Sequence, residues 1–552
     1  MVAYREIYKC LTINNDQRTT MKKTYILLLI ICWANVRFAQ TPSKLLTTQE
    51  LAQQRVYKSW SKALRQPAKV YRLDLSKQNL KAVSRNIHVF NRVQELRLTH
   101  NQLDSLPSEM KALANLQILD VRHNQLKAVP QWINQFRHLH TLKLSHNPVK
   151  ELPKSLTTLR RLTHLSIVQT KIKQLPENFG RMSGLKTLEA SKALQADWQI
   201  LRKKAKVFTS LKEALKTPEE VYQLELHGLR QVPMQELKKF KNLEVLNLNN
   251  NALKSLPKDI GDLQSLKELH LQNNLLKGLP KEVGNLKSLQ KLNLKMNRLE
   301  TVPGELKNLK SLEKLSLYNN QLKSLPKELG EMKSLKNLDV SRNRLQSLPQ
   351  ELMQAKNLEA LNLRSNTLQK LPETLGDLDK LKSLNLDGNR LSELPKSLGQ
   401  LKSLERLDLR VNGLKKLPES LGDLKNLKHL QLRKNQLEQL PKSLGNLKNL
   451  ESLDTWGNVL QGLPESVGGL KKLKNLNLAY NQLNALPESL GNLENLEKLN
   501  LWSNGTLQKL PASLGKLKNL QSFKMQFNKL PIGERNLLQN RLLTTKVRGL
   551  KF

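Results

Sequence analysis

The sequence predicts a solenoid of α/β class, assembled from short repeats rather than from independent globular domains. Three observations predict it. The form L-x-x-L-x-L-x-x-N-x-L begins at Leu243 and returns every 23 residues to Leu496, twelve copies in unbroken register. Aromatic residues make up only 4% of the 552-residue chain, low for an ordinary enzyme core. A unit this short cannot bury its own leucines, so the core has to close between stacked neighbours.

From the N-terminus, residues 1–20 read as a polar extension, with translation beginning at Met21. Lys22 and Lys23 then precede an apolar run over 26–33, and Ala39-Gln40 offers a cleavage point. A positive start, a short apolar run and a small residue before the cut describe a secretory signal over 21–39. Arg37, three residues before the cut, departs from that pattern. The run is shorter than the roughly 20 apolar residues a membrane span needs. The only cysteines, Cys10 and Cys32, lie before Ala39, so a processed chain has no thiol for a disulfide, a zinc site or catalysis. The expected location is secreted or cell-surface; the alternative is a cytoplasmic protein with a chance apolar patch.

Residues 40–69 are expected to cap the stack. A first block over 70–195 holds six repeats, opening at Val70, Val93, Leu116, Leu139, Leu162 and Leu185. The register then fails, and 196–220 reads as a linker plus a second cap helix. The second block, 221–530, holds fourteen repeats. Val221 opens it one residue short, and one inserted residue near Gly505 moves the last copy to Leu520. Residues 57–75 match 208–226 at eight of nineteen positions, pairing Ala63, Leu64, Pro67, Val70 and Tyr71 with Ala214, Leu215, Pro218, Val221 and Tyr222. A cap-plus-repeats module thus occurs twice, each cap a short amphipathic helix. Residues 531–552 form the closing cap, with Leu537, Leu538, Leu542 and Leu543 at helical spacing. The expected total is twenty short strands.

Within one repeat, Leu315 and Leu317 alternate with Ser316, which places the leucines inward. Asn320 has counterparts in sixteen of twenty repeats, the exceptions being Gln78, Thr170, Ala193 and Leu229. A short amide at a tight turn can satisfy backbone groups of adjacent coils as a ladder. Pro326 fixes φ as the coil leaves the turn, and Gly330 permits close packing of a convex segment. The second half of each unit reads L-x-x-L-P-x-x-L-G-x-L-x-x, as over 437–449. With the first half, it resembles the leucine-rich repeat family over nearly the whole chain after residue 39. The variant looks like the Ras-suppressor-like and disease-resistance-like repeats, in a bacterial secreted form. The resemblance implies a horseshoe with a parallel concave sheet and short helical or irregular convex segments.

No phosphate-binding glycine loop, H-E-x-x-H or G-x-S-x-G motif occurs, so neither catalysis nor a cofactor is expected. Positions 3, 5, 7 and 8 of each repeat face outward from the strand, free of core demands. Trp456, Tyr480, Trp502 and Phe527 occupy positions 7 or 8 of four successive repeats, beside Arg410, Arg433, Lys434 and Asp408. Aromatic and arginine residues together are the usual composition of an interface hot spot, although turn positions also tolerate aromatics. His100, His123 and His146 share position 8, with His164 at position 3 of the next repeat. They read as a metal-binding or pH-sensitive ladder, or as ordinary polar turn residues. No thiolate or clear carboxylate joins them, so no metal site is assigned.

The net charge is +45. Lys287, Lys310, Lys333, Lys356, Lys402, Lys425, Lys448, Lys471 and Lys518 form a convex ladder at position 22, either a solvated exterior or a surface for acidic polymers. That flank lacks aromatic interleaving, so no specific nucleic acid is expected. The reading is a non-enzymatic protein that binds a protein ligand on its concave face. The alternatives are an envelope protein holding acidic glycan or lipopolysaccharide through its lysines, and a cytoplasmic signalling scaffold of the Ras-group-related type. Export predicts that N-terminal sequencing of the native protein begins at or near Gln40; recovery of intact residues 1–39 in the cytosol refutes it.

Overall fold

The computed structural model describes residues 45–182 and 184–542. The signal segment, both cysteines, Leu543 and the side chains of Leu538 and Leu542 lie outside the described residues.

Each coil contributes one three-residue strand, such as Lys314–Ser316, with its central leucine buried. Strands pair in parallel at the 23-residue step, so Leu315 sits opposite both Leu292 and Leu338. The described strands form a seven-stranded and a fifteen-stranded sheet in sequence order, twenty-two strands where twenty were expected. The additional two, Val56–Tyr57 and Val207–Phe208, belong to the caps. Both are dipeptides too short to carry an alternation signal. The caps share one local structure. Ser59 and Ser210 each accept a backbone N–H three residues on, starting the helices Trp60–Leu64 and Leu211–Ala214. Pro67 and Pro218 open 3-10 turns, and Ala63, Ala214, Val70 and Val221 are fully buried.

The interruption contains a 14-residue helix, Lys192–Ala205, whose Leu194 and Trp198 pack into the first core. The chain divides at Arg202/Lys203 into two units, each with its own continuous apolar core. The closing helix Ile532–Leu542 is present, but Ile532 and Leu537 are exposed on it rather than turned to the stack.

The turn after each strand is held by the asparagine at position 9. Asn320 Nδ2 donates to the Leu317 carbonyl of its own coil and to the Leu294 carbonyl of the preceding coil, each at 3.0 Å. Its Oδ1 accepts the Leu299 N–H of that same preceding coil at 3.0 Å. Asn124, Asn274 and Asn435 repeat the pattern. Thr170, lacking the second arm, donates only to Ile167 of its own coil. On the convex side Pro326, at φ −67°, leads into the 3-10 segment Lys327–Glu331. A Cβ on Gly330 would lie 1.9 Å from the Glu351 carbonyl oxygen, so only glycine lets consecutive convex segments pack this closely.

Charge has two structural uses. Six of the nine position-22 lysines (Lys287, Lys333, Lys356, Lys425, Lys448 and Lys471) donate from Nζ to backbone carbonyls in or just after the 3-10 segments, at 2.9–3.2 Å. A short helix leaves such carbonyls underused, and those of Gln354 and Gly469 accept a backbone N–H as well as the ammonium group. At position 2, glutamate and lysine alternate between coils. Ion pairs join Lys336 to Glu313 (2.7 Å), Lys382 to Glu359 (2.9 Å), Lys428 to Glu405 (3.1 Å) and Lys474 to Glu451 (3.6 Å). Each exposed pair contributes little by itself, about 0.2–1 kcal/mol. Their alternation disfavours a one-coil slip, which would set like charges side by side.

Replacing Asn320 with alanine leaves the buried Leu299 N–H without its partner and takes one of two amide donors from each of the Leu294 and Leu317 carbonyls, which keep Asn297 and Asn343. Each unpaired buried backbone group costs about 1–3 kcal/mol. Asn320→Ala is expected to lower unfolding stability by on the order of 2 kcal/mol, read from the denaturant midpoint, whereas Lys382→Ala is expected to leave that midpoint nearly unchanged.

Candidate ligand-binding face

Position 8 follows the strand and turns the chain with a left-handed backbone. Residues there have φ of +50° to +59° in the non-glycine repeats except that of Leu185, where Lys192 starts a helix; among them are His100, Asn250, Val411, Tyr480 and Phe527, and φ is about +70° at Gly228, Gly388 and Gly457. The conformation comes from the coil, whatever residue occupies it. Glycine and asparagine adopt it cheaply, whereas larger side chains pay a steric cost. Position 7 precedes it, extended and outward.

Four aromatic rings use these two positions in consecutive coils, and they touch. Ring centroids lie 4.9 Å apart for Trp456 and Tyr480, 5.1 Å for Tyr480 and Trp502, and 5.9 Å for Trp502 and Phe527. The planes are inclined by 57°, 70° and 44°, so Tyr480 and Trp502 pack edge against face and the two outer pairs are tilted. Tyr480, at position 8, bridges the two tryptophans. Tyr480 is 40% exposed and Phe527 75% exposed; the tryptophans are half-buried beneath them. Trp502 Nε1 is buried without a hydrogen-bond partner. Below the last ring lies an open cleft of about 660 Å³, lined by Trp502, Lys524, Gln526, Phe527 and Arg535. Arg535 comes from the closing helix, a neighbour that repeat register cannot reveal.

The charged side chains beside the rings are partly committed. Arg410 makes a two-pronged contact with Asp408, with Nη2 to Oδ2 at 2.6 Å, and lies 3.5 Å from Asp387. Asp387 also takes Arg364 at 2.9 Å. Arg433 and Lys434 place their cations 5.1 and 5.6 Å from the Trp456 ring centre. Arg433 also sits 3.6 Å from Asp454. Burial pushes the Asp454 carboxyl up, against the backbone N–H of Trp456, the Arg433 charge and Asn477. Asp387, Asp454 and Asn477 were not singled out in the sequence. For Asp454 and Asn477 the signal was there, since position 5 is Asn or Asp in most coils of the second block, whereas Asp387 sits alone at position 7 of its coil.

In the first unit His100, His123 and His146 stack in parallel, with centroids 4.1 and 3.9 Å apart and planes within 15°. Their lone pairs lie in parallel planes and do not converge on a point, as ligation of one metal ion requires. Among the described residues no group of His, Cys, Asp or Glu is arranged to hold a metal. His164 stands outside the stack, 3.2 Å from Glu189 but without hydrogen-bond alignment. Nor is any helix of the described residues long and apolar enough to cross a membrane.

Comparison with known proteins follows this geometry. A leucine-rich repeat region matches residues 220–345 and 419–545, and a second leucine-rich repeat family matches 91–149, 333–391 and 380–437. No curated protein matches the chain. A solved leucine-rich repeat protein of Leptospira interrogans is 33% identical, over 90% of this chain and 100% of that one, with a TM-score of 0.50. The TLR13–ssRNA13 complex shares the fold at 21% identity, over 90% and 87% of the two chains, with a TM-score of 0.52. The Arabidopsis receptor kinase HAESA, solved with the peptide hormone IDA and the co-receptor SERK1, is 26% identical over 87% and 81%, with a TM-score of 0.49. Strand, asparagine turn and 3-10 segment recur at the 23-residue step, and a solved leucine-rich repeat protein aligns along its full length: the chain belongs to the leucine-rich repeat family.

Proposed function

We propose that this protein is a non-enzymatic binding protein that takes a protein ligand on the concave face of its second unit, at the ledge Trp456–Tyr480–Trp502–Phe527 and the adjoining Arg433 and Arg410. One observation carries the reading: four aromatic rings in contact, each with the next, on consecutive coils, with Tyr480 and Phe527 exposed. The core does not require them. Tyr480 and Phe527 stand where asparagine or glycine would be cheaper, so their apolar area serves something outside the fold. The inclined rings offer an uneven ledge with edges and cations rather than a flat platform, which suits a protein surface. Arg433 and Lys434 already cover part of Trp456, so a sugar ring has less open face to lie on.

The setting is an exported bacterial protein with repeats of the Ras-suppressor-like and disease-resistance-like type. The support is the Lys22–Ala39 pattern, the form of the repeat, and the full-length likeness to the Leptospira protein. The lysine ladder is weaker support for a glycan-binding exterior, because six of its ammonium groups cap backbone carbonyls.

Burial of a hot-spot aromatic contributes roughly 2 kcal/mol or more. A partner captured from the native extracellular fraction by the intact protein is expected to bind Tyr480→Ala/Phe527→Ala at least about tenfold more weakly, with the thermal midpoint unchanged. Lys425→Ala/Lys448→Ala is expected to retain it. The reverse outcome replaces the concave ledge with the lysine exterior as the binding surface.

A further inference from the structure

We propose that the imidazole column His100–His123–His146 of the first unit is a second, proton-operated binding strip whose ligand is an acidic polysaccharide. The three side chains occupy position 8 of successive coils, at φ +54°, +55° and +59°, with ring centroids about one strand separation apart. His100 is exposed and the other two are half-exposed. Each ring face within the stack is covered by its neighbour, so what the column offers outward is edges with ring N–H groups. Edges of this kind donate to carboxylate or sulfate oxygens; they give a nucleobase nothing to stack on.

Protonation decides the strength of the site. A neutral imidazole has one N–H and an imidazolium has two with a full charge. Two imidazoliums at the 4.1 and 3.9 Å ring separations of the column repel each other, more strongly at a protein surface than in open water. Burial, then the neighbouring His146, His100 and Arg122, hold His123 below the ordinary imidazole value, with Asp120 opposing. An anion laid along the column offsets that repulsion, so binding and proton uptake reinforce each other as pH falls.

The surrounding charges favour an anion over a cation. Arg122 and Asp120 neutralise each other through a two-pronged contact at 2.9 and 2.8 Å. Arg97 is paired with Glu95, which also holds Arg72. Lys77 continues the column one coil earlier, and Lys143 lies on the strand between His123 and His146. Four residues beyond position 8, Lys127, Lys150 and Lys173 are exposed on successive coils, against the single acidic Asp104. Seven of the ten histidines of the chain fall in this first block. Spacing selects the polymer. The rings of the column repeat at 4.1 and 3.9 Å, whereas an extended acidic peptide presents same-side groups about 6.8 Å apart, two residues at 3.4 Å each.

The probe is polygalacturonate, ionised throughout the range tested, titrated calorimetrically into the full protein at about pH 5.5 and pH 7.5 and physiological ionic strength. The comparison is the triple variant His100→Asn/His123→Asn/His146→Asn. Asparagine already holds this turn position in Asn250, Asn273 and Asn319, so the backbone is preserved. The unaltered protein is expected to bind at least about tenfold tighter at the lower pH, with net proton uptake. In the variant the ratio between the two pH values is expected to collapse to about twofold or less. Attraction by the fixed lysines is present at both pH values and does not enter that ratio. An equal ratio in the variant, or no binding at the lower pH, overturns the proposal. Stronger pH-dependent binding of polyglutamate than of polygalacturonate overturns the polysaccharide assignment. Neither result bears on the aromatic ledge of the second unit.

Discussion

The amide at position 9 ties each coil to the one before it. Asn320 donates to two carbonyls and accepts one N–H, two of these groups belonging to the preceding coil, and shares each carbonyl with the asparagine of a neighbouring coil. Unpaired, such groups would cost more than a single leucine contact returns. Because the amide reaches across the gap, it sets the coil separation and the register together. The remaining repeat positions inherit their roles from it. Leucines 315 and 317 meet their counterparts, Gly330 lies against the Glu351 carbonyl, and position-2 charges fall opposite partners of the other sign.

With the turn fixed by one residue, positions 7 and 8 are left to serve the exterior, and the two units use them differently. Three histidines at the same position of successive coils are displaced by one strand step without rotation, so their rings lie parallel. Aromatics that alternate between positions 7 and 8 leave the backbone in different directions, so their rings meet at steep angles. One arrangement hides ring faces and presents edges; the other presents an apolar ledge. The same backbone slot thereby yields an ionisable strip and a hydrophobic one.

The excess of basic residues is structural in part. Lysines at position 22 complete the hydrogen bonding of 3-10 segments too short to satisfy their own carbonyls, while those at position 2 neutralise glutamates of adjacent coils. The arginines beside the aromatic ledge are graded in the same way. Arg410 is shared between Asp408 and Asp387, whereas Arg433 divides itself between Asp454 and the Trp456 ring. Arg433 is therefore the more available of the two to an incoming partner.

The repeat itself was legible in the sequence, because leucine spacing, Asn320, Pro326 and Gly330 each answer a local demand that recurs every 23 residues. So were the duplicated caps, whose Pro67/Pro218 and Val70/Val221 pairs survive at one offset. The aromatic and histidine columns could be placed by register alone, since position number determines which side chains become neighbours. What register could not reach was anything fixed by direction or by contact outside the repeat. The two cap strands were missed because two residues carry no periodicity. The buried faces of Leu194 and Trp198, the exposure of Leu537, and the place of Arg535 under Phe527 depend on how non-repeating helices dock. Whether three imidazoles converge or stack, and which lysines cap carbonyls, are questions of side-chain direction. Those directions exist only once the coils have closed on one another, because it is the neighbouring coil that supplies the partner.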